Sequence, residues 1–396
     1  MELSNKKIAI VYDWIDSWGG VERILLAFHE MFPNADFFTS YVDLEKAKWA
    51  KDLKIKTSFI QNLPNFIKKS RKLSFFLYPY AFESFNFNKY DIVISVTSSF
   101  AKAVVTKPET LHVCYLLTPT RYLWLYPRQY LAGWQRILGK TYFNNIKNWD
   151  YIISQRPDKM IAISQTVADR CKLYYRRKAE IIYPPFNIGY WNDIKSKVKS
   201  QSFDVAQDDP ERSRMGQKSK FQVKNKKFYL VVSRLEPYKR VDLVVKVFSQ
   251  TGKDIVVVGR GTQLNKLIRQ AKPNIKFISD ITDQELALLY SQAEGLIMPQ
   301  EEDFGYVSLE AQFFGCPVIA YGKGGTTETI IPNKTGIFFM AQDAMSLKQA
   351  LEKYDKIKQV LKQNLKEMGI KGFDKYALDN FKNNFINQLT PISSNY

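Results

Sequence analysis

The chain has 396 residues, enough for two or three domains at roughly 100–200 residues each. Its 45% hydrophobic and 24% charged residues exclude a disordered chain. Three scattered cysteines exclude a disulfide framework, and two histidines (His29, His112) exclude a multi-histidine metal site. No CxxC pair offers a zinc ribbon. The formal charge is 58 − 39 = +19, distributed as 27 − 16 = +11 over residues 1–190 and 31 − 23 = +8 over 191–396. The field therefore covers both halves and favours polyanions: nucleic acid, anionic lipid or phosphorylated substrates. Met1-Glu2-Leu3-Ser4-Asn5 runs straight into a strand-like segment, so no signal peptide is expected. The aromatic-apolar run near Leu73–Phe82 is about half of the ~20 residues that a spanning helix needs. A cytoplasmic, soluble or peripheral protein is expected.

Short Val/Ile-rich runs alternate with helical periods along most of the chain. Strands are predicted at 8–12, 91–96, 111–116, 160–163 and 180–183, and then at 228–233, 255–259, 275–278, 295–298 and 317–320. Their lack of strict alternation suits strands buried on both faces of a parallel sheet. Val21, Ile24, Leu25, Phe28 and Phe32 mark one face of a helix after Gly19-Gly20, and Thr282 with Glu285 makes a capping box before Leu286. Strand and helix in alternation predict an α/β protein with parallel sheets. Residues 195–227 interrupt the pattern: polar and without period, they read as a disordered linker insertion between two α/β halves. Tyr376, Leu378, Phe381 and Phe385 at helical spacing predict a packed final helix, and no internal repeat is evident.

The run Glu302-Asp303-Phe304-Gly305-Tyr306-Val307-Ser308-Leu309-Glu310 carries the strongest chemical signal. It follows a strand, opens a helix near Gly305, and places two carboxylates at the carboxyl edge of a parallel sheet, where open α/β sheets bind ligands. Carboxylates accept well from vicinal hydroxyls of a ribose or hexose. Upstream, Arg234 and Lys239 lie five apart between a strand and a helix, and a guanidinium fork with a mobile ammonium suits a diphosphate. Taken singly, each motif is common on solvated surfaces; their order and flanking strands favour function.

The segment Glu302–Glu310 resembles the Glu-x7-Glu motif of retaining glycosyltransferases of family 4, a mannosyltransferase-like group 1 set. That resemblance implies a GT-B fold: two Rossmann-like, doubly wound parallel-sheet domains facing a cleft. It further implies an acceptor-binding domain over 1–190, with helix 376–396 packing back on it, and a nucleotide-sugar-binding domain over 226–375. Glu302 would contact the donor sugar's hydroxyls and Glu310 the nucleotide ribose, with Phe304, Gly305, Tyr306 and Val307 lining the donor between them. Arg234 and Lys239 resemble the pair that neutralises the departing diphosphate, which makes Arg234, Lys239 and Glu302 the implied catalytic residues. Gly19-Gly20 resembles the first-loop glycines facing the donor phosphate. Gly259 and the loop of Ser279 and Asp280 stand where the family meets the donor and its base, and Gly324-Gly325 resembles a further donor-side loop.

Tyr115-Leu116-Leu117-Thr118-Pro119-Thr120-Arg121-Tyr122 resembles an acceptor-side segment of mannosyltransferase-like members, implying acceptor contacts by Thr118, Arg121, Tyr122 and, at the end of the first strand, Asp13. Leu117 stands where that segment usually has histidine. His112 reads as strand packing and His29 as surface. The mixture of bases and aromatics over 64–90 reads as core with solvated lysines, as a surface facing acceptor and anionic membrane, or, third, as a nucleic-acid stacking surface that no other motif supports. The implied function is metal-independent, retaining transfer of a hexose to a lipid-linked or cell-surface glycan. GDP-mannose is favoured as donor over a UDP-sugar, no cofactor is needed, and no nucleic acid is expected as partner. The competing reading is a non-catalytic nucleotide-sugar-binding or scaffold protein on the same fold.

Overall fold

The computed structural model describes residues 5–71, 73–125, 127, 135–198, 204–207, 219–222 and 227–389. The chain divides into two compact units, Met1–Pro185 with Leu378–Tyr396, and Phe186–Ala377.

The first unit is built on seven parallel strands: β1 (Ile8–Tyr12), β2 (Asp36–Thr39), β3 (Lys54–Thr57), β4 (Ile92–Thr97), β5 (Leu111–Leu116), β6 (Lys159–Ala162) and β7 (Glu180–Ile181). They lie in the order β3-β2-β1-β4-β5-β6-β7. Reversal of the order beside β1 makes the sheet doubly wound, and the β1/β4 carboxyl ends form its switch point. Ile8, Ala9, Ile10, Val11 and Tyr12 are all buried, as expected for a central strand covered on both faces. Helices in chain order are α1 (Gly20–Met31), α2 (Asn65–Lys68), α3 (Tyr78–Glu83), α4 (Arg121–Trp124), α5 (Gln135–Ile153) and α6 (Gln165–Tyr175). Val11, Phe82, Val93, Phe100 and Ile153 share one core cluster. Each such side chain contributes roughly 1.5–3 kcal/mol on burial.

The second unit begins with α7 (Ile188–Val198) and holds a six-stranded parallel sheet: β10 (Tyr229–Val232), β11 (Ile255–Val258), β12 (Ile275–Ile278), β13 (Leu296–Met298), β14 (Val318–Tyr321) and β15 (Gly336–Phe339). The order is β12-β11-β10-β13-β14-β15, so the switch point falls between β10 and β13. Its helices are α8 (Val241–Thr251), α9 (Leu264–Gln270), α10 (Asp283–Gln292), α11 (Tyr306–Phe313), α12 (Thr326–Thr329) and α13 (Ala344–Met368). The capping box of α10 forms as the sequence predicts: Glu285 N donates to Thr282 Oγ1 at 3.2 Å, and Thr282 N donates to Glu285 Oε2 at 2.7 Å. Val231, Val244, Phe248, Val257, Ile319 and Leu351 form the core. The fold class is therefore the expected pair of doubly wound parallel sheets.

Three expectations change. Residues 195–198 finish α7, and two further strands, β8 (Asp204–Gln207) and β9 (Ser219–Gln222), pair antiparallel, so the polar insertion is not structureless throughout. Its residues 199–203, 208–218 and 223–226 lie outside the described residues. His29 is half-buried rather than surface, its ring edge-on to Phe37 at 6.0 Å. The third concerns 64–90, which is both core and surface: Tyr78, Phe82 and Phe87 are buried, while Phe66, Leu73, Phe76 and Tyr80 are exposed. The last helix, α14 (Leu378–Leu389), lies in the first unit, where Phe385 and Phe381 meet Phe28 at 4.7 and 5.4 Å.

His112 is packing, as expected. It is fully buried in β5, its Nε2 2.9 Å from Ser95 Oγ, and burial pushes its pKa from 6.5 down to about 3. The unfolded chain takes up that proton below about pH 6.5 and the folded one does not, so this contribution to stability is whole above pH 6.5 and declines on acidification. His112→Gln should flatten the acid limb of urea unfolding by about 1.4 kcal/mol per pH unit between pH 6.5 and 4. Parallel acid limbs in the two proteins would contradict the buried neutral imidazole.

Candidate functional site

At the switch point of the second unit, β10 ends in Val232, and Ser233, Arg234 and Leu235 continue toward a single turn of 3-10 helix at Pro237–Lys239. Arg240 follows in the left-handed region (φ 53°) and starts α8. A non-glycine residue adopts that conformation only at a cost of about 1–2 kcal/mol, so surrounding structure must hold it. The turn delivers Lys239 into the protein, where it is only 7% exposed.

From the neighbouring strand end, Glu302 meets it: Lys239 Nζ donates to Glu302 Oε1 at 2.6 Å. Gln300 Nε2 donates to the same oxygen at 2.7 Å. The backbone of Glu302 is fixed by the loop after β14, since Gly325 N donates to Glu302 O at 2.7 Å and Gly324 bridges Glu302 in parallel. Gly324 has φ +87°, and a Cβ there would lie 2.4 Å from Glu302 O, so only glycine fits. Arg234, on the loop leading to Lys239, is exposed, and its guanidinium has no partner among the described residues. The switch point thus presents Arg234 to solvent beside an ion pair whose lysine is buried and whose carboxylate is part-exposed.

The other expected donor residues separate by burial. Gly305 precedes α11, and Tyr306 and Val307 begin it, half-exposed. Phe304 is buried against Tyr306 and Tyr376, with centroids 5.2 and 5.6 Å away, so it packs as core. Glu310 lies in the second turn of α11 and is buried, accepting from Tyr290 Oη at 3.0 Å. Gly259 has φ +149°, and a Cβ there would strike Ser233 O, which shows the β11 loop packed directly on the loop that carries Arg234. Ser279 is buried, and Asp280 is ion-paired with Arg260.

In the first unit, Gly19 caps α1 and Gly20 opens it. Asp13, expected at an acceptor, is fully buried and already engaged. Its Oδ1 accepts from Thr97 Oγ1, Phe100 N and Ala101 N at 2.8–2.9 Å, and its Oδ2 from Ser98 N at 2.8 Å. These bonds fold the loop after β4 onto the end of β1, which makes Asp13 an organiser of that edge. Burial nevertheless raises its pKa above the usual carboxylate value, against the lowering effect of those donors. Thr118 is buried, and its Oγ1 has no hydrogen-bond partner among the described residues. Arg121 is half-exposed on α4, and the Tyr122 hydroxyl shares a hydrogen bond with Ser99 Oγ. Leu117 is buried, its N–H donating to Thr97 O at 2.8 Å.

One network was not anticipated from sequence. Asp150, fully buried on α5, accepts from Lys102 Nζ (2.7 Å), Thr120 Oγ1 (2.9 Å), Trp124 Nε1 (2.7 Å) and Tyr175 Oη (2.8 Å). It ties the loop of Thr118–Trp124 to α5 and α6. Lys102 and Asp150 lie 48 positions apart without a flanking motif, so only the three-dimensional fold reveals them.

Among the described residues, no group of three or more His, Cys, Asp or Glu is placed to hold a metal ion, and no helix is long and apolar enough to cross a membrane.

Removing one member of the buried pair isolates the other. Lys239→Met should destabilise the ligand-free protein by about 3 kcal/mol in urea unfolding, and Lys239→Met with Glu302→Gln by clearly less than the sum of the single changes. Additive losses would show that the two charges do not interact.

Residues 214–371 match the family Glycosyl transferases group 1. The alpha-1,3/1,6-mannosyltransferase ALG2 of Mus musculus is 26% identical over 269 residues, covering 59% of this chain and 59% of the relative. The GDP-mannose-dependent alpha-(1-6)-phosphatidylinositol monomannoside mannosyltransferase of Mycobacterium tuberculosis is 27% identical over 233 residues, covering 54% of this chain and 58% of the relative. The chain thus spans less than two thirds of these curated relatives. Among solved structures, Anabaena Alr3699/HepE in complex with UDP-glucose is similar with a TM-score of 0.68 at 17% identity, over 96% of this chain and 99% of that one. WaaG, a glycosyltransferase involved in lipopolysaccharide biosynthesis, is similar with a TM-score of 0.62 at 14% identity, over 97% and 99%. The Lys239–Glu302 pair accordingly lies in a region that matches group 1 glycosyltransferases, on the GT-B fold that the chain shares with its structural neighbours.

Proposed function

We propose that the protein is a retaining glycosyltransferase that moves a hexose from a nucleotide sugar to a lipid-linked or cell-surface glycan. The observation that carries this reading is the junction of Lys239 and Glu302 at the switch point of the second sheet, with Arg234 exposed on the same loop. A nucleoside diphosphate needs fixed cations, and a hexose needs a fixed carboxylate; this edge supplies both. In this reading Arg234 and Lys239 stabilise the negative charge that develops on the departing diphosphate. Glu302 orients the sugar, and a phosphate oxygen of the leaving group takes the proton of the incoming acceptor hydroxyl. The C1–oxygen bond to phosphate breaks as the C1–oxygen bond to acceptor forms on the same face. That scheme needs no metal, cofactor or protein base. The second unit then serves the donor, and the first the acceptor through Thr118, Arg121 and Tyr122. The similarity to mannosyltransferases favours GDP-mannose as donor.

Calorimetry against GDP, UDP, ADP and their common sugar conjugates, without added metal, tests the reading. One nucleotide series should bind selectively, and Glu310→Gln should weaken it. Arg234→Ala with Lys239→Ala should lower kcat by 100-fold or more, for a loss of about 3 kcal/mol of transition-state stabilisation. Binding of no nucleotide would favour a scaffold protein on the same fold.

The acceptor side of this reading includes a cytoplasmic location with peripheral docking on anionic membrane. Phe66 and Tyr80 are 70% and 68% exposed, in a segment that also carries Lys68, Lys69 and Arg71. Aromatic and basic side chains together suit the headgroup region. Phe66→Ser with Tyr80→Ser should reduce co-sedimentation with phosphatidylserine vesicles several-fold and leave binding to neutral vesicles unchanged. Equal co-sedimentation of both proteins would remove this docking surface.

A further inference from the structure

Gln300 follows β13 and Pro299 and is 1% exposed. Its amide is oriented by chemistry. The Glu302 carboxylate only accepts, so the amide must turn its Nε2 to Glu302 Oε1, as observed at 2.7 Å. The opposite side of the amide, Oε1, is then a buried acceptor, and it has no hydrogen-bond partner among the described residues. Leaving such an acceptor without a donor is costly, and an apolar side chain of similar shape would avoid the cost. The amide's own bond lengths keep Gln300 Oε1 within about 5 Å of Glu302 Oε1. An unfilled acceptor is therefore held beside the carboxylate, at the carboxyl end of β13 where the strand order reverses.

Resting on the glycosyl-transfer reading, we propose that Gln300 is a specificity-determining residue for the donor sugar, its Oε1 accepting the O–H of a hexose hydroxyl adjacent to the one that Glu302 holds. A vicinal diol matches this pair of acceptors, because each hydroxyl brings one proton and the two oxygens lie a few ångströms apart. Glu302 Oε1 already receives Lys239 Nζ and Gln300 Nε2, so Gln300 transmits no charge to the ligand; it reads the presence of a donor. A site with a buried acceptor rejects a ligand that lacks the matching hydroxyl far better than an apolar pocket rejects one that has it.

The test separates sugar from nucleotide. Affinities of GDP, GDP-mannose, UDP and UDP-glucose are measured by calorimetry for the natural chain and for Gln300→Met, which keeps the length and loses both the Oε1 acceptor and the Nε2 donor to Glu302. Urea unfolding of both proteins checks that the fold persists. The expected result is nucleoside diphosphate affinity unchanged within two-fold, with nucleotide-sugar affinity about ten-fold lower, so that their ratio collapses. If Gln300→Met does not fold, Gln300→Leu in the same assay decides by the same ratio. An unchanged ratio, or an equal loss of both ligands, overturns the role of Gln300 and leaves glycosyl transfer standing. Failure of the natural chain to bind any of the four overturns glycosyl transfer and this inference with it.

Discussion

An ammonium and a carboxylate 2.6 Å apart inside a protein are stable only when each charge answers the other and the remaining hydrogen-bonding positions are filled. Much of the second unit's carboxyl edge serves that requirement. A left-handed arginine turns Lys239 inward, and two glycines let a neighbouring loop grip the backbone of Glu302. The Gln300 amide adds a second donor to the shared oxygen. An ion pair so largely withdrawn from solvent adds little net stability over an apolar pair. It also neutralises Lys239 internally while no anion is bound, whereas Arg234 remains available to the solvent.

The first unit handles charge differently. Asp13 and Asp150 are both fully buried, and each collects four or more donors from the loops around it. Their carboxylates are consumed in holding loops at the ends of β1, β4 and β5. Those loops place Thr118, whose hydroxyl has no hydrogen-bond partner among the described residues, with Arg121 and Tyr122 at the same edge. Two sheets of similar winding thus carry contrasting edges: one pairs Lys239 with Glu302 and leaves Arg234 in solvent, and in the other charge shapes the backbone.

Much of the fold was legible because its strands are continuous apolar runs, most plainly the Val/Ile runs of β1, β4 and β11. β1, β5 and β12 match the predicted 8–12, 111–116 and 275–278 to the residue. The strands that escaped prediction lack this signature. β3 is Lys-Ile-Lys-Thr at a sheet edge, and β2 (Asp-Phe-Phe-Thr) and β15 (Gly-Ile-Phe-Phe) carry phenylalanine pairs in place of a Val/Ile run. The placing of Lys239 and Glu302 at the ends of strands was legible from the flanking strands, and the structure pairs the two. Asp13 was read as an acceptor contact from its position at a strand end, which suits both ligand binding and loop anchoring, and the structure shows it holding the loop after β4. Burial, which separates the two, is absent from a lone strand-end aspartate in a sequence. Gln300 carried no signal at all: its significance lies in which of its amide atoms is satisfied, a property of geometry alone.

The route of the chain has a consequence for its synthesis. The first unit is completed by α14, whose Phe381 and Phe385 close over Phe28 and Tyr115 with ring centroids 4.7–5.9 Å apart. Between Pro185 and Leu378 lie 377 − 185 = 192 residues of the second unit. At ribosomal speeds of about 5–20 residues per second, roughly 10–40 s pass before those phenylalanines exist. Throughout that interval the nascent first unit presents Phe28 and Tyr115 uncovered, and the order of translation makes the second unit the earlier of the two able to complete its core.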